Sequence, residues 1–181
     1  MTYESVPGFV EEKEAYGETT VVVERERLLE AARFLRDEGG FAFLADIAAT
    51  DYLGWNNGRV AGYWGDSRGR DINAPGSWGL RAQPVPKPTR FSVSYHLLAL
   101  REGAPRLRVQ VWCEDGEALP SLVSVWPTAD WHEREAWDMM GIPFDGHPNL
   151  ERILLEEDWE GHPLRKDYPI GGEPVRFSGE E

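Results

Sequence analysis

The sequence has one cysteine, few cations and no long apolar run. Cys113 alone cannot form an intrachain disulfide, and it gives no cluster of thiolates for zinc or an iron–sulfur centre. Nineteen Lys and Arg stand against 32 Asp and Glu, so the net charge is −13. This balance disfavours binding to nucleic acid and to an anionic membrane surface, because both attract clustered cations. A protein partner with basic patches fits the charge better.

The absence of a long apolar run limits where in the cell the chain can lie. A helix that crosses a bilayer needs about 20 consecutive apolar residues, and no stretch approaches that length. The acidic N-terminus lacks the basic region and apolar core of a secretory signal peptide. We therefore expect a cytosolic chain, or one held at a membrane through another subunit without direct insertion. With 181 residues, 41% of them apolar, the chain can form one domain with a core.

Hydrophobic patterning predicts a small sheet. Residues 19–23 are mainly β-branched, and residues 41–52 form a second strand-like segment after two glycines. Residues 91–97 and 106–112 alternate between apolar and polar side chains, as half-buried strands do. Because a turn with Gly and Pro separates these two segments, they predict an antiparallel hairpin.

Two segments have helical spacing. The first repeats apolar residues on one face, at Leu28, Ala31, Ala32 and Leu35. The second covers 130–141 and is stopped by Gly141 and Pro143. The predicted fold is α+β: a small, mainly antiparallel sheet packed with two main helices, followed by an extended C-terminal connector and tail.

The chain divides into three predicted parts. Residues 1–128 form the α+β core, which includes a long loop rich in Gly, Pro and Trp at 54–90. Residues 129–170 carry the second helix and the connector, and residues 171–181 form an extended tail. A loop of this length inside a compact domain is usually functional, bound to a partner or disordered.

The second helix places one carboxylate among apolar side chains. Glu133 falls on the same side as Ala136 and Met140 at 100° per residue. In one interpretation, Asp130 is the N-cap and Glu133 completes a capping box, near the helix end. In the other, Glu133 is buried and paired with an arginine, because an unpaired buried charge is costly.

The opposite face of this helix places one tryptophan among charges. Trp131 lies there with Arg134, Glu135 and Asp138. Isolated exposed aromatics are normal on protein surfaces. A tryptophan among charges is also typical of an anchor that contacts a partner. Both interpretations stay open.

The connector contains Gly-His-Pro twice, with His147 and His162 at the centres. These histidines could join one of Glu133, Asp138 or Asp145 in the metal site of a free-standing metal-dependent hydrolase. No helical or hairpin spacing aligns them, however, and the prolines favour rigid bends. We therefore interpret the two units as corners of a connector, with a short packed turn of helix between them at 149–159.

A cationic cluster follows the second corner. Arg165 and Lys166 stand beside Asp167 and Tyr168 in a chain that is otherwise acidic. The cluster could bind an acidic partner surface, or supply the counter-charge for the carboxylates of the second helix.

The stretches "EREAWDMMGIPFDGHPNLERIL" and "EGHPLRKDYP" together resemble the signature of the C-subunit family of respiratory complex I, the proton-pumping NADH:quinone oxidoreductase. The resemblance covers about 130–170. It places the following residues in an ion-pair network within and between subunits: Glu133, Arg134, Glu135, Asp138, His147, His162, Arg165, Lys166, Asp167 and Tyr168.

The resemblance implies a non-catalytic scaffold in the hydrophilic arm of the enzyme, on the cytoplasmic side of the inner membrane. Its expected partners are the large quinone-site subunit (the D-subunit of the complex) and neighbouring arm subunits. No cofactor is expected in this chain, since NADH, FMN, iron–sulfur clusters and quinone belong to other subunits. The equivalent subunit of a related membrane-bound hydrogenase or dehydrogenase is the alternative.

Three features depart from the family pattern. Glu151 stands where the family usually has a basic residue or Pro. The loop at 54–90 is longer than in typical bacterial members, and the tail is shorter than in many. The resemblance therefore does not imply the contacts that a longer tail makes.

Overall fold

The computed structural model describes residues 2–55, 86–101 and 103–169. Most of the predicted loop at 54–90 and all of the predicted tail at 171–181 lie outside the described residues.

Five strands form one mixed sheet that is mostly antiparallel, which confirms the predicted fold class. The strands are β1 (Phe9–Ala15), β2 (Glu18–Val23), β3 (Phe43–Asp51), β4 (Phe91–Leu98) and β5 (Arg106–Cys113). Their order is β1-β2-β5-β4-β3, and only the β2–β5 pair is parallel. Strand β2 lies between β1 and β5 and buries Val21, Val22 and Val23, in agreement with its β-branched composition.

The predicted hairpin is confirmed by the pairing of β4 with β5. Tyr95 lies opposite Val109, and Leu97 lies opposite Leu107, with all four side chains buried. His96 and Arg108, the pair between them, face the other side and are half-buried. This alternation is the one that the sequence pattern predicts.

Strand β1 was not predicted, because its side chains are mostly charged and exposed. It joins β2 through Tyr16 and Gly17, whose φ angles are +54° and +78°. Positive φ at both central residues is typical of the tight turns that join hairpin strands.

Helix α1 (Leu28–Asp37) and helix α2 (Ala129–Met140) complete the core. The four apolar residues predicted for α1 are all buried, which confirms that helix. Helix α2 packs beside β3 and adds Ala129, Ala136 and Met140 to the same apolar cluster as the sheet and α1.

The predicted capping box of α2 is wrong. The helix begins at Ala129, and Thr128 occupies the N-cap position without a side-chain capping bond. The Thr128 hydroxyl instead donates to the carbonyl of Leu44 in β3, at 3.0 Å. The helix ends as predicted at Gly141, whose φ of +72° lies in the left-handed region.

The predicted turn of helix in the connector is also wrong. Two short strands, β6 (Leu119–Pro120) and β7 (Phe144–Asp145), pair in parallel just before the connector. From residue 146 to 169 the chain then runs in bends and turns with neither helix nor strand. Side chains of α2 bind the backbone amides and carbonyls of the connector instead.

Candidate functional site

Glu133 is fully buried on the inner side of α2, with an exposed fraction of 0%. Its Oε2 atom accepts a hydrogen bond from the Ser121 hydroxyl at 2.6 Å, and Oε1 accepts from the Leu122 amide at 2.7 Å. Of the two interpretations of Glu133, burial is the one that the structure bears out, but the arginine partner of that interpretation is wrong. A hydroxyl and a backbone amide satisfy the carboxylate, and they tie α2 to the segment that follows β6.

His147 faces this carboxylate from the connector. Its buried imidazole places Nε2 at 3.9 Å from Oε2 of Glu133 and 3.4 Å from Oδ1 of Asp130. The Asn149 amide donates to Nδ1 at 3.0 Å. The hydrogen of a neutral ring is therefore on Nε2, which donates to the carbonyl of Asp130 at 3.2 Å. The first Gly-His-Pro corner is thus fixed against the start of α2.

Burial raises the pKa of Glu133 to about 7, against the lowering effect of the bonds from Ser121 and Leu122; the nearby Asp130 carboxylate raises it further.

Asp138 is the second buried carboxylate of α2, with an exposed fraction of 0%. Its Oδ2 atom accepts from three consecutive amides, those of Ile153, Leu154 and Leu155, at 3.1, 2.9 and 3.1 Å. Its Oδ1 atom accepts from Nη1 of Arg152 at 2.6 Å. Burial by itself would raise the pKa of Asp138, but these donors outweigh it and the pKa is lowered.

The sequence placed Asp138 on the outer face of the helix, where it does lie, but it did not predict that the carboxylate is buried there. The connector passes over that face at residues 152–155 and encloses the carboxylate. The same contacts explain why no helical turn forms there, since one side chain of α2 already binds three successive amides.

Two arginines hold the connector along α2. Arg134 donates from Nε to the carbonyl of Glu151 at 3.0 Å, and its guanidinium lies 5.2 Å from the Trp131 ring centre. Arg152 donates from Nη2 to the carbonyl of Trp159 at 3.0 Å. Both guanidinium groups therefore bind connector carbonyls.

The second Gly-His-Pro corner closes the C-terminal end of α2. Nδ1 of His162 lies 2.8 Å from the carbonyl of Asp138, and the Leu164 amide donates to the carbonyl of Met139 at 3.0 Å. The imidazole packs directly on Gly141, where an added Cβ would lie 2.6 Å from ring atoms. His162 thus satisfies a carbonyl of the last helical turn.

The cationic cluster pairs with the ends of the sheet. Arg165 bonds to Asp115 after β5 and to Asp167, the latter at 3.3 Å. Arg90, just before β4, bonds to Asp51 and to Asp167, each at 2.9 Å. These arginines, Arg90 first, lower the pKa of Asp167 to about 2.

The backbone joins the same cluster. The Lys166 amide donates to Oδ2 of Asp51 at 2.9 Å, and Asp51 is 2% exposed. The Tyr168 ring packs on Gly161, where an added Cβ would lie 2.9 Å from it. The Lys166 side chain stays exposed.

The predicted ion-pair network is therefore corrected in one respect: its members within this chain do not form one connected network. Within the described residues the site forms three clusters, centred on Glu133, on Asp138 and on the Asp51–Arg90 pair. Arg152 pairs with Asp138 of α2, but the predicted cation Arg165 does not reach the carboxylates of α2, because it pairs with Asp115 and Asp167 instead. Glu135 is exposed and belongs to none of the clusters.

Five residues of these clusters were not selected from the sequence: Asp51, Arg90, Asp115, Ser121 and Arg152. The antiparallel pairing of β3 with β4 brings Asp51 and Arg90 together, since Asp51 lies opposite Phe91. That signal exists only once the strand order is known.

No group of three or more His, Cys, Asp or Glu is arranged to hold a metal ion in residues 2–55, 86–101 and 103–169. A ring nitrogen of His147 and one of His162 each bind backbone groups. The described helices include none that is long and apolar enough to cross a membrane.

Fold and site together define an α+β domain in which buried carboxylates and histidines bind an irregular connector to one helix. The chain belongs to the family described as respiratory-chain NADH dehydrogenase, 30 Kd subunit, whose model matches residues 21–174. This match confirms the resemblance seen in the motifs.

Two curated relatives illustrate the similarity, and both are named as the C-subunit of NADH-quinone oxidoreductase. The relative from Roseiflexus sp. (strain RS-1) is 40% identical over 165 residues, covering 90% of this chain and 76% of that protein. The relative from Nocardioides sp. (strain ATCC BAA-499 / JS614) is 40% identical over 166 residues, covering 90% of this chain and 54% of that longer protein.

Two solved structures share the fold. The trypsin-resistant fragment of Nqo5 is 31% identical, with a TM-score of 0.57 over 79% of this chain and 90% of the fragment. A chain of the membrane-bound sulfane sulfur reductase, an archaeal respiratory membrane complex, is 21% identical, with a TM-score of 0.61. It covers 93% of this chain and 81% of its own, and at that identity it shows the fold alone.

Proposed function

We propose that this chain is a non-catalytic scaffold subunit in the hydrophilic arm of NADH:quinone oxidoreductase, complex I. It binds the large quinone-site subunit and neighbouring arm subunits, and it supports electron transfer from NADH to quinone coupled to proton translocation. Membership in the family of the NADH dehydrogenase 30 Kd subunit supports the assignment to the complex.

One observation supports the scaffold role in particular. The motif carboxylates Glu133 and Asp138 are fully buried, and they accept hydrogen bonds from groups of their own chain. A catalytic carboxylate must reach a substrate, whereas Glu133 ties α2 to the segment after β6 and Asp138 fixes the shape of the connector. These two carboxylates of the family motif thus have a structural role, because they hold the segments around α2 in position.

The proposal places the cofactors in other subunits. NADH, FMN, iron–sulfur clusters and quinone are bound elsewhere in the complex, and a Cys₄ cluster needs four thiolates where this sequence has one cysteine. The chain lies on the cytoplasmic side of the inner membrane and is held there through its partners.

Deletion and complementation test the scaffold role. We expect deletion of the gene to abolish NADH:quinone activity of membranes and to release the large quinone-site subunit from the assembled arm. The tagged wild-type chain should restore both, and it should co-purify with that subunit from solubilised membranes. Full activity and an intact arm in the deletion strain would refute the proposal.

The equivalent subunit of a related membrane-bound complex is the second candidate. The fold match to the archaeal sulfane sulfur reductase supports it, since the same architecture occurs in that assembly. The co-purified partners decide between the two. An NADH-binding flavoprotein subunit would support complex I, and a hydrogenase-type catalytic subunit without one would support the alternative.

A further inference from the structure

Trp131 stands out on the outer face of α2. It is 62% exposed, although it lies in the first turn of a helix whose inner side is buried. Glu133 is two residues further on, about 200° around the helix, and is fully buried. The exposed ring therefore faces directly away from the core of its own chain.

The connector covers only half of this outer face. Asp138 lies two turns after Trp131 on the same side, and residues 152–155 enclose it completely. Glu135 and Trp131, one and two turns nearer the N-terminal end, stay exposed. The same helical face is thus covered by its own chain at one end and open at the other.

Arg134 holds the exposed ring in place. Its guanidinium lies 5.2 Å from the ring centre, at a distance where cation–π attraction acts. Bonds to the carbonyls of Glu151 and Arg152 fix the guanidinium in turn. A side chain that is ordered before binding loses less conformational entropy when a partner covers it, which favours a role as an anchor.

Charge identifies the kind of partner. Among the described residues, nothing pairs with the Glu135 side chain, and the neighbouring Glu151 is also exposed. A second copy of this chain would bring the same carboxylates and a further net charge of −13. An anionic membrane would be repelled for the same reason. A chain with basic side chains is the complementary occupant.

We infer that Trp131 and Glu135 form a docking surface for the large quinone-site subunit, which presents an apolar slot bordered by arginine or lysine. This inference rests on the proposed function, because it requires that the chain acts within a complex. Trp131 fills the slot, and Glu135 pairs with the cation at its border.

Binding to the large quinone-site subunit from the same genome tests the surface. The full-length tagged chain is co-expressed with that subunit, and the dissociation constant is then measured for each purified variant. Trp131→Ala and Glu135→Lys should each weaken binding, the first by about 30-fold or more, as expected for an interface anchor. Circular dichroism should show unchanged folding, since both side chains are exposed.

Two matched controls come from the same chain. Tyr16→Ala removes another exposed aromatic, at the β1–β2 turn, and Glu157→Lys reverses another exposed carboxylate in the connector. Both should bind within about twofold of wild type. Wild-type affinity in Trp131→Ala or in Glu135→Lys would overturn the inference, as would equal losses in the controls.

Other results separate this surface from the proposed function. A concentration-dependent dimer of the wild-type chain that Trp131→Ala abolishes would assign the surface to a second copy and overturn the inference. Failure of the wild-type chain to bind the large quinone-site subunit at all would refute the partner in the proposed function itself.

Discussion

Replacing Asp138 with asparagine removes a charge but almost no volume, so it tests the bonds of the carboxylate and not its packing. In the native site, one oxygen accepts from three amides and the other from Arg152. Asparagine has only one acceptor oxygen, and its NH₂ group must face either the amides or the guanidinium. Either orientation sets donors against donors inside a buried site.

The expected cost follows from that geometry. Breaking one side of a buried ion pair costs about 3–5 kcal/mol, because the remaining charge is left without its partner. For a protein of this length, each kcal/mol lowers the melting temperature by about 2–4 °C. We therefore expect Asp138→Asn to melt about 6–20 °C below wild type, and Asp158→Asn, at an exposed position in the same connector, to melt with wild type.

Hydrogen exchange shows which part of the chain loses stability in Asp138→Asn. In wild type, the amides of Ile153, Leu154 and Leu155 should be protected although they lie in no helix or strand. In Asp138→Asn their protection should fall, while the amides of β4 and β5 keep theirs when compared under conditions where both proteins are folded. An equal melting temperature for Asp138→Asn and Asp158→Asn, with unchanged protection, would refute this account of the connector.

Two further substitutions test the ends of α2. Since the pKa of Glu133 is about 7 when folded and 4.5 in its ordinary state, the folded protein binds the proton more tightly. This contribution to stability is present below pH 4.5 and is lost as pH rises to about 7. Urea unfolding across pH 4.5–7 should therefore show wild type losing stability relative to Glu133→Gln, and parallel pH profiles would contradict the raised pKa. Gly141→Ala should unfold about 1–3 kcal/mol more easily than Gly146→Ala. Both positions have positive φ, +72° and +80°, but only the Cβ at 141 would meet His162; equal losses in thermal melts would show that His162 does not pack there.

The sheet and the helices could be predicted because their signals are local. In β4, β5 and α1, the period of the apolar residues alone specifies which face is buried. Strand β1 lacks that signal, since six of its seven residues are exposed and four of the seven are charged. Its only local sign is the Tyr-Gly turn.

Many residues of the site could be selected from the sequence, but the groups that each of them binds could not be predicted. A helical wheel divides α2 into a buried face and an outer face, and it cannot show that a later segment covers half of the outer face. That is why the burial of Asp138 was not predicted. The partners of Glu133 are a hydroxyl and an amide, which no count of opposite charges would identify. Arg90 and Arg165 reach their carboxylates only through the order of the strands.

These pairings explain what the buried carboxylates and histidines of the motif do in the structure. Between residues 146 and 169 the backbone has neither helix nor strand to satisfy its amides and carbonyls, and leaving them unpaired when buried would be costly. Asp138, His147 and His162 each bind backbone groups there or in α2, so side chains take over the role of secondary structure. Motif substitutions should accordingly fall into two classes. Changes at the buried members lower the free energy of unfolding, whereas changes at Trp131 and Glu135 leave it unaltered and weaken assembly.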